Sequence, residues 1–204
     1  AGAAVVALAA AGALIPGGVP GIPQPAALVE VLIPVVRSLG DVAAAVTVGF
    51  LVIATMLGDR TSGARPLLAR CAVGGGIVWA LLGVLGLALA AVDAGGSAAD
   101  RLLHWILGTS AGIAGIVQVL LIVVAAVAAS RPRGIVPALV AAAGAVVARA
   151  TIGHVAIGVG HESATVLLAA HVLAMCIWVG GLLGAAVVAV RVPDDAAVVM
   201  RRFS

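Results

Sequence analysis

The chain has 204 residues, 64% of them hydrophobic and 9% charged, with a mean hydropathy of +1.31. A soluble domain carries roughly a quarter charged residues, so this composition excludes an ordinary soluble protein. The net charge of +3 rests on 11 arginines and no lysine; they stand at segment ends rather than in one patch, which argues against a nucleic-acid binder.

Six apolar segments follow in chain order: 1–15, 34–57, 67–92, 102–129, 135–152 and 163–190. Several reach the roughly 20 residues that a helix needs to cross a bilayer. Their apolar runs are continuous rather than alternating, which disfavours a β-barrel. The expected fold is all-α, a polytopic transmembrane helix bundle of about six spans. The connections are Gly-rich, Pro-rich or polar: "PGGVPGIPQP", "GDRTSGARP", "DAGGSAAD", "SRPRG" and "GHVAIGVGHE". Glu30, Arg37 and Asp41 are spaced as one helical stripe, with the alternative that Pro34 breaks the first turn and frees Glu30 from it. Cys71 and Cys176 fall inside spans, so no disulfide framework is expected. The chain opens without Met and closes on "MRRFS". It reads as a single transmembrane domain, 1–204, from a longer protein, its first segment being either a span or a signal-peptide core.

The arginines orient the bundle. Eight of them follow the second, fourth and sixth segments, whereas the other three connections hold only Arg101. The positive-inside rule puts the eight, and the N-terminus, in the cytoplasm. A multi-pass protein of the bacterial inner membrane is the expected setting, with the lipid bilayer as its first partner. All four histidines then belong to the outer half. His104 opens the fourth segment; His154 and His161 lie in the outer loop before the sixth, with Glu162 beside them. His171 is two to three turns into the sixth segment, roughly 12 Å deep at 1.5 Å per residue.

On a helix, His171, Met175 and Trp178 form one stripe, and Gly180, Gly181 and Gly184 fall on nearly the opposite side. Gly180 and Gly184 make a small-xxx-small pair suited to close helix packing. Cys176 is about 140° from His171 and is a poorer partner for the same site. Imidazole suits copper, zinc, iron and nickel, and a thioether adds preference for Cu(I). Met175 alone reads equally as core filling, whereas a histidine at membrane depth is a functional candidate by default. The metal candidates are therefore His154, His161, His171, Met175 and Glu162. Glu162 has a second reading, as a carboxylate favoured at a helix start. His104, beside Trp105, reads as an interface anchor or an extra ligand. Arg37, Asp41 and Arg149 read as a structural ion pair between two helices or as the polar lining of a cation or proton path. "GGG" at 74–76 lies inside a span and reads as packing, as do Trp79 and Trp105 as ordinary span residues. No nucleophile–base pair or nucleotide motif stands out, so the chain does not read as an enzyme.

"GH" at Gly153–His154 and "AAHVLAMCIWVGGLLG" in the sixth segment resemble the CopD family of bacterial copper resistance and copper-uptake proteins. The residues carrying the likeness are His154, His171, Trp178, Gly180, Gly181 and Leu182, within 153–204, and "VVMRRFS" looks like the family's link into its next helix. The resemblance implies copper, as Cu(I) or Cu(II), received on the periplasmic side and moved inward. Actinobacterial proteins of this kind are often fused to a cytochrome c oxidase assembly domain of the CtaG type. The implied partners are a periplasmic copper-binding protein and cytochrome c oxidase or its assembly factors. Two other readings stand beside it. One is a haem-binding electron carrier, with His171 paired to His104 or His154. The other is an accessory or assembly subunit of a respiratory complex that binds no metal.

Overall fold

The structure, a computed structural model, describes residues 27–57, 63–95, 99–152 and 161–203. For Ala27, His161, Glu162 and Phe203 it describes the backbone alone. The expected first segment and His154 lie outside the described residues. Seven helices follow in order: α1 (Ala27–Leu57), α2 (Ala64–Gly95), α3 (Ala99–Gly108), α4 (Ser110–Ala129), α5 (Ile135–Ala150), α6 (His161–Arg191) and α7 (Pro193–Phe203). No strand occurs among the described residues. Four helices, α1, α2, α4 and α6, are long and apolar enough to cross a membrane. At 16 residues α5 is about 24 Å long, shorter than the roughly 30 Å hydrocarbon core.

The most enclosed long helix is α1, which packs on α2, α5, α6 and α7. Its neighbours come close because small residues line the seams. A methyl group added at Gly49 would collide with the backbone of Gly180, and one at Gly180 with the Ala45 carbonyl. The packing role expected of the "GGG" stretch holds: Gly75 abuts Thr47 of α1 and Gly76 abuts Ala126 of α4. Where α1 meets α2, Val36 lies against Gly86 and Thr47 against Gly75, an antiparallel register. Where α1 meets α6, Ala45 lies against Gly180 and Ile53 against Gly184, a parallel one. One end of the bundle therefore holds the starts of α1, α4 and α6, with α3 and the ends of α2 and α5. The other end holds α7 and the α4–α5 turn.

Four sequence expectations need correction. Pro34 does not break the first helix: α1 runs through it from Ala27, so Glu30 is helical after all. Proline removes one donor, a defect that membrane helices tolerate where neighbours or waters satisfy the freed carbonyl. The fourth segment is two helices. Thr109 is extended (φ −114°, ψ 149°), and its hydroxyl accepts from the Gly112 N–H at 3.0 Å, capping α4. His161 and Glu162 begin α6 rather than lying in a loop. Finally, "VVMRRF" belongs to α7, a separate helix opened by Pro193 with Asp194 and Asp195 in its first turn.

That last helix ties down its end of the bundle. The Asp195 carboxylate accepts from the Ala64 N–H at 3.2 Å, satisfying a free donor at the start of α2. The Arg202 guanidinium donates to the Met56 carbonyl in the last turn of α1. Pattern reading assigned Arg201 and Arg202 to topology alone and gave Asp195 no role; their spacing from 56 and 64 leaves no local signal.

Candidate functional site

Two places gather the sequence-expected polar residues, and they are separate. The first is the open face of α6. His171, Met175 and Trp178 are all exposed along it, with Val166, Leu167 and Leu182. Ala169, Cys176, Gly180, Gly184 and Val188 are buried on the other side. The expected division of this helix into a packing face and an imidazole–thioether–indole face therefore holds. Cys176 belongs to the packing face and feels the charge of Asp41 in α1 rather than sharing the His171 stripe. Both cysteines are free.

Among the described residues no group of three or more His, Cys, Asp or Glu converges as a metal cage. His154 lies outside those residues, and the side chains of His161 and Glu162 are not described. What the backbone establishes is the spacing: His161 and His171 stand 10 residues apart on α6, about 15 Å along its axis. His104 is exposed on α3, whose principal neighbours are α2 and α4, whereas α6 packs on α1, α5 and α7. The helices carrying His104 and His171 thus form no shared seam of the kind that would bring both imidazoles to one haem.

The second place is a partly open cavity of about 100 Å³ lined by α1, α2, α3, α4 and α5; Arg37 and Asp41 are exposed at it. Its walls carry Arg37 and Asp41 from α1, Arg149 from α5, Gln118 from α4, and Trp79 and Trp105 from α2 and α3. The rest of the lining is aliphatic, with Gly40, Gly83, Gly86 and Gly115 making the room. Arg37 and Asp41 are one helical turn apart, so both side chains leave the same face of α1. Arg149 reaches the cavity because α5 packs on α1 and α4 at this end.

The three charged groups feel one another: Asp41 attracts Arg37 and Arg149, and the two guanidinium groups repel each other. Among the described residues no hydrogen bond or ion pair joins them directly, and none involves the Gln118 amide. Gln118 is nevertheless 6% exposed. Arg37, Asp41 and Arg149, which the sequence reading grouped as one polar set, all line this cavity; that reading missed Gln118. The signal was present, a lone amide in "GIVQVLLIVV". Trp79 and Trp105, read as ordinary span residues, are walls of this site.

The arginines separate as the sequence count anticipated. Arg65, Arg70, Arg131, Arg133, Arg191, Arg201 and Arg202 all lie toward the end of the bundle opposite the cavity, and Arg101 lies on the cavity side. His104 and the first half of α6 share the cavity end.

No curated protein and no solved structure matches the chain. A family model does: the N-terminal domain of copper resistance protein D-like proteins matches residues 28–164, about two thirds of the chain. The match runs from α1 into the first turn of α6, so it takes in the whole cavity lining and the 153–154 "GH" and stops short of His171. With four apolar helices of membrane-crossing length among its described residues and this match over about two thirds of its length, the chain belongs to the copper resistance protein D-like family.

Proposed function

We propose that this protein captures copper at the outer face of the bacterial inner membrane and delivers it inward. The family match carries the reading. Support comes from the sorting of residues: among the described residues, His104 and His171 stand toward the cavity end and seven of the ten arginines toward the other. With the arginine-rich end cytoplasmic, the N-terminus of the chain is cytoplasmic too, across six spans, and His154, His161 and His171 meet the periplasm. Imidazoles would take Cu(I) or Cu(II) there. Met175, one turn below His171 on the same open face, offers a soft thioether for Cu(I) as the next station. Glu162 would add a carboxylate at the mouth. His104 is a possible fourth imidazole on the same side of the membrane. Copper would come from a periplasmic copper-binding protein and serve metallation of cytochrome c oxidase or its assembly factors.

The copper route in this reading follows α6 and not the cavity, because two guanidinium groups against one carboxylate disfavour a cation. The test is copper per protein after purification from copper-supplemented cells. Wild type should retain copper, and a His154→Ala/His161→Ala/His171→Ala variant should lose most of it. Cells carrying His171→Ala at normal protein level should also show altered copper accumulation. Equal copper content in wild type and triple variant would refute the histidine site. A colourless preparation without a Soret band would dispose of the haem alternative.

A further inference from the structure

The cavity between α1, α2, α4 and α5 is not used by the copper reading, and its chemistry points elsewhere. Arg37 and Arg149 both line it, and arginine stays protonated at any accessible pH. Asp41 supplies at most one negative charge, so the walls hold a surplus of one positive charge. Asp41 is 14 residues into α1, about 21 Å along its axis. Arg37 and Asp41 are exposed and Arg149 is half-buried, and a net charge so far along an apolar helix favours a counter-ion beside it. The like-charged pair adds to this, since Arg37 and Arg149 repel each other.

Gln118 adds an independent observation. It is more than nine-tenths buried, its side chain lines the same cavity, and it makes no hydrogen bond to protein. A carboxamide offers two N–H donors to whatever enters the cavity. Two guanidinium groups and an amide therefore surround a void with nothing to accept from them except one carboxylate.

The geometry points to a binding site for a small soluble anion, a carboxylate or oxyanion, held between Arg37 and Arg149 with Gln118 as an additional donor. The planar guanidinium fork matches two oxygens of such a group and has no comparable match to a spherical halide. A volume of about 100 Å³ has room for an acetate-sized or phosphate-sized ion. Asp41 acts as an internal competitor whose charge lowers the affinity of the site for the ligand. This site is distinct from the copper stations on α6 and does not depend on them.

Tryptophan fluorescence reads the site directly, because two of the three tryptophans, Trp79 and Trp105, line the cavity. The third, Trp178, is exposed on α6 and is removed by Trp178→Phe. The full chain in detergent, with that background, is titrated with acetate and with phosphate at constant ionic strength set by chloride. A saturable emission change with acetate or phosphate, absent with chloride, is expected. Arg149→Gln should weaken it by about tenfold or more, the size of a lost charge-assisted partner. Asp41→Asn should tighten it by about tenfold, because the competing charge is gone while an isosteric group remains. An Asp41 that merely held two helices together would give the reverse, a weaker or absent response. No saturable response, an equal response to chloride, undiminished binding in a folded Arg149→Gln protein, or weaker binding in Asp41→Asn would each overturn the proposal. The Asp41→Asn arm decides even if Arg149→Gln fails to fold.

Discussion

Replacing Gly180 by alanine tests the seam on which the bundle is built. A Cβ at this position would meet the Ala45 carbonyl and stand 3.0 Å from the Gly49 Cα. Both obstacles are backbone, so no side-chain rotation relieves the clash; α1 and α6 must separate. Overpacking of this kind costs about 1–3 kcal/mol, and rigid obstacles on α1 put Gly180 at the upper end. Separation also loosens the contacts one turn on, where Gly184 sits against Phe50 and Ile53, since a gap of about 1 Å forfeits up to half of a dispersion contact. Against this stands the gain of about 1 kcal/mol that alanine brings to any helical position. The net expectation is a loss of about 2 kcal/mol, near thirtyfold in the folding equilibrium. Gly74 is the control, because a Cβ there meets nothing within 4 Å, and Gly74→Ala should stabilise by about 0.4–1 kcal/mol. Both are measured by SDS-driven unfolding in mixed micelles. Equal shifts of the same sign in the two variants would refute the close approach of α1 and α6.

Three further expectations rest on single contacts. Thr109→Ala removes the α4 cap and should cost about 1 kcal/mol, whereas Thr109→Ser should keep most of it; the same unfolding assay compares them, and indistinguishable variants would argue for one continuous fourth helix. Asp195→Ala removes the acceptor for the Ala64 N–H and should destabilise by about 1 kcal/mol; limited proteolysis should then cut α7 faster, and an unchanged rate would mean that α7 is held by other contacts. Gln118→Leu removes an amide that makes no hydrogen bond to protein and should change stability by less than about 1 kcal/mol while weakening anion binding; a larger loss of thermal stability would mean that the amide is satisfied within the cavity.

Much of the fold was legible because bilayer chemistry writes it into composition. Long apolar runs, arginines at alternating ends and small residues on one side of a helix each answer a local requirement: hydrocarbon contact, interfacial charge, close backbone approach. The two faces of α6 could be drawn from spacing alone because a 3.6-residue period fixes which side chains share a side. The break at Thr109 was hidden by hydropathy, since "LGTSAG" interrupts an apolar run without charge, although Gly, Thr and Ser there were a capping signal.

From the sequence alone came an all-helical membrane chain with its histidines grouped toward one end and its arginines toward the other. It also suggested that Arg37, Asp41 and Arg149 belong together. Tertiary structure decided what surrounds them. The cavity exists only because α1, α2, α4 and α5 meet around glycines far apart in the chain. Gln118, Trp79 and Trp105 enter it through that meeting. The ties from α7 to Met56 and Ala64 join residues more than 130 positions apart. Periodicity orders side chains around one helix axis; which neighbour faces them depends on contacts between axes, and those are set only when the bundle closes.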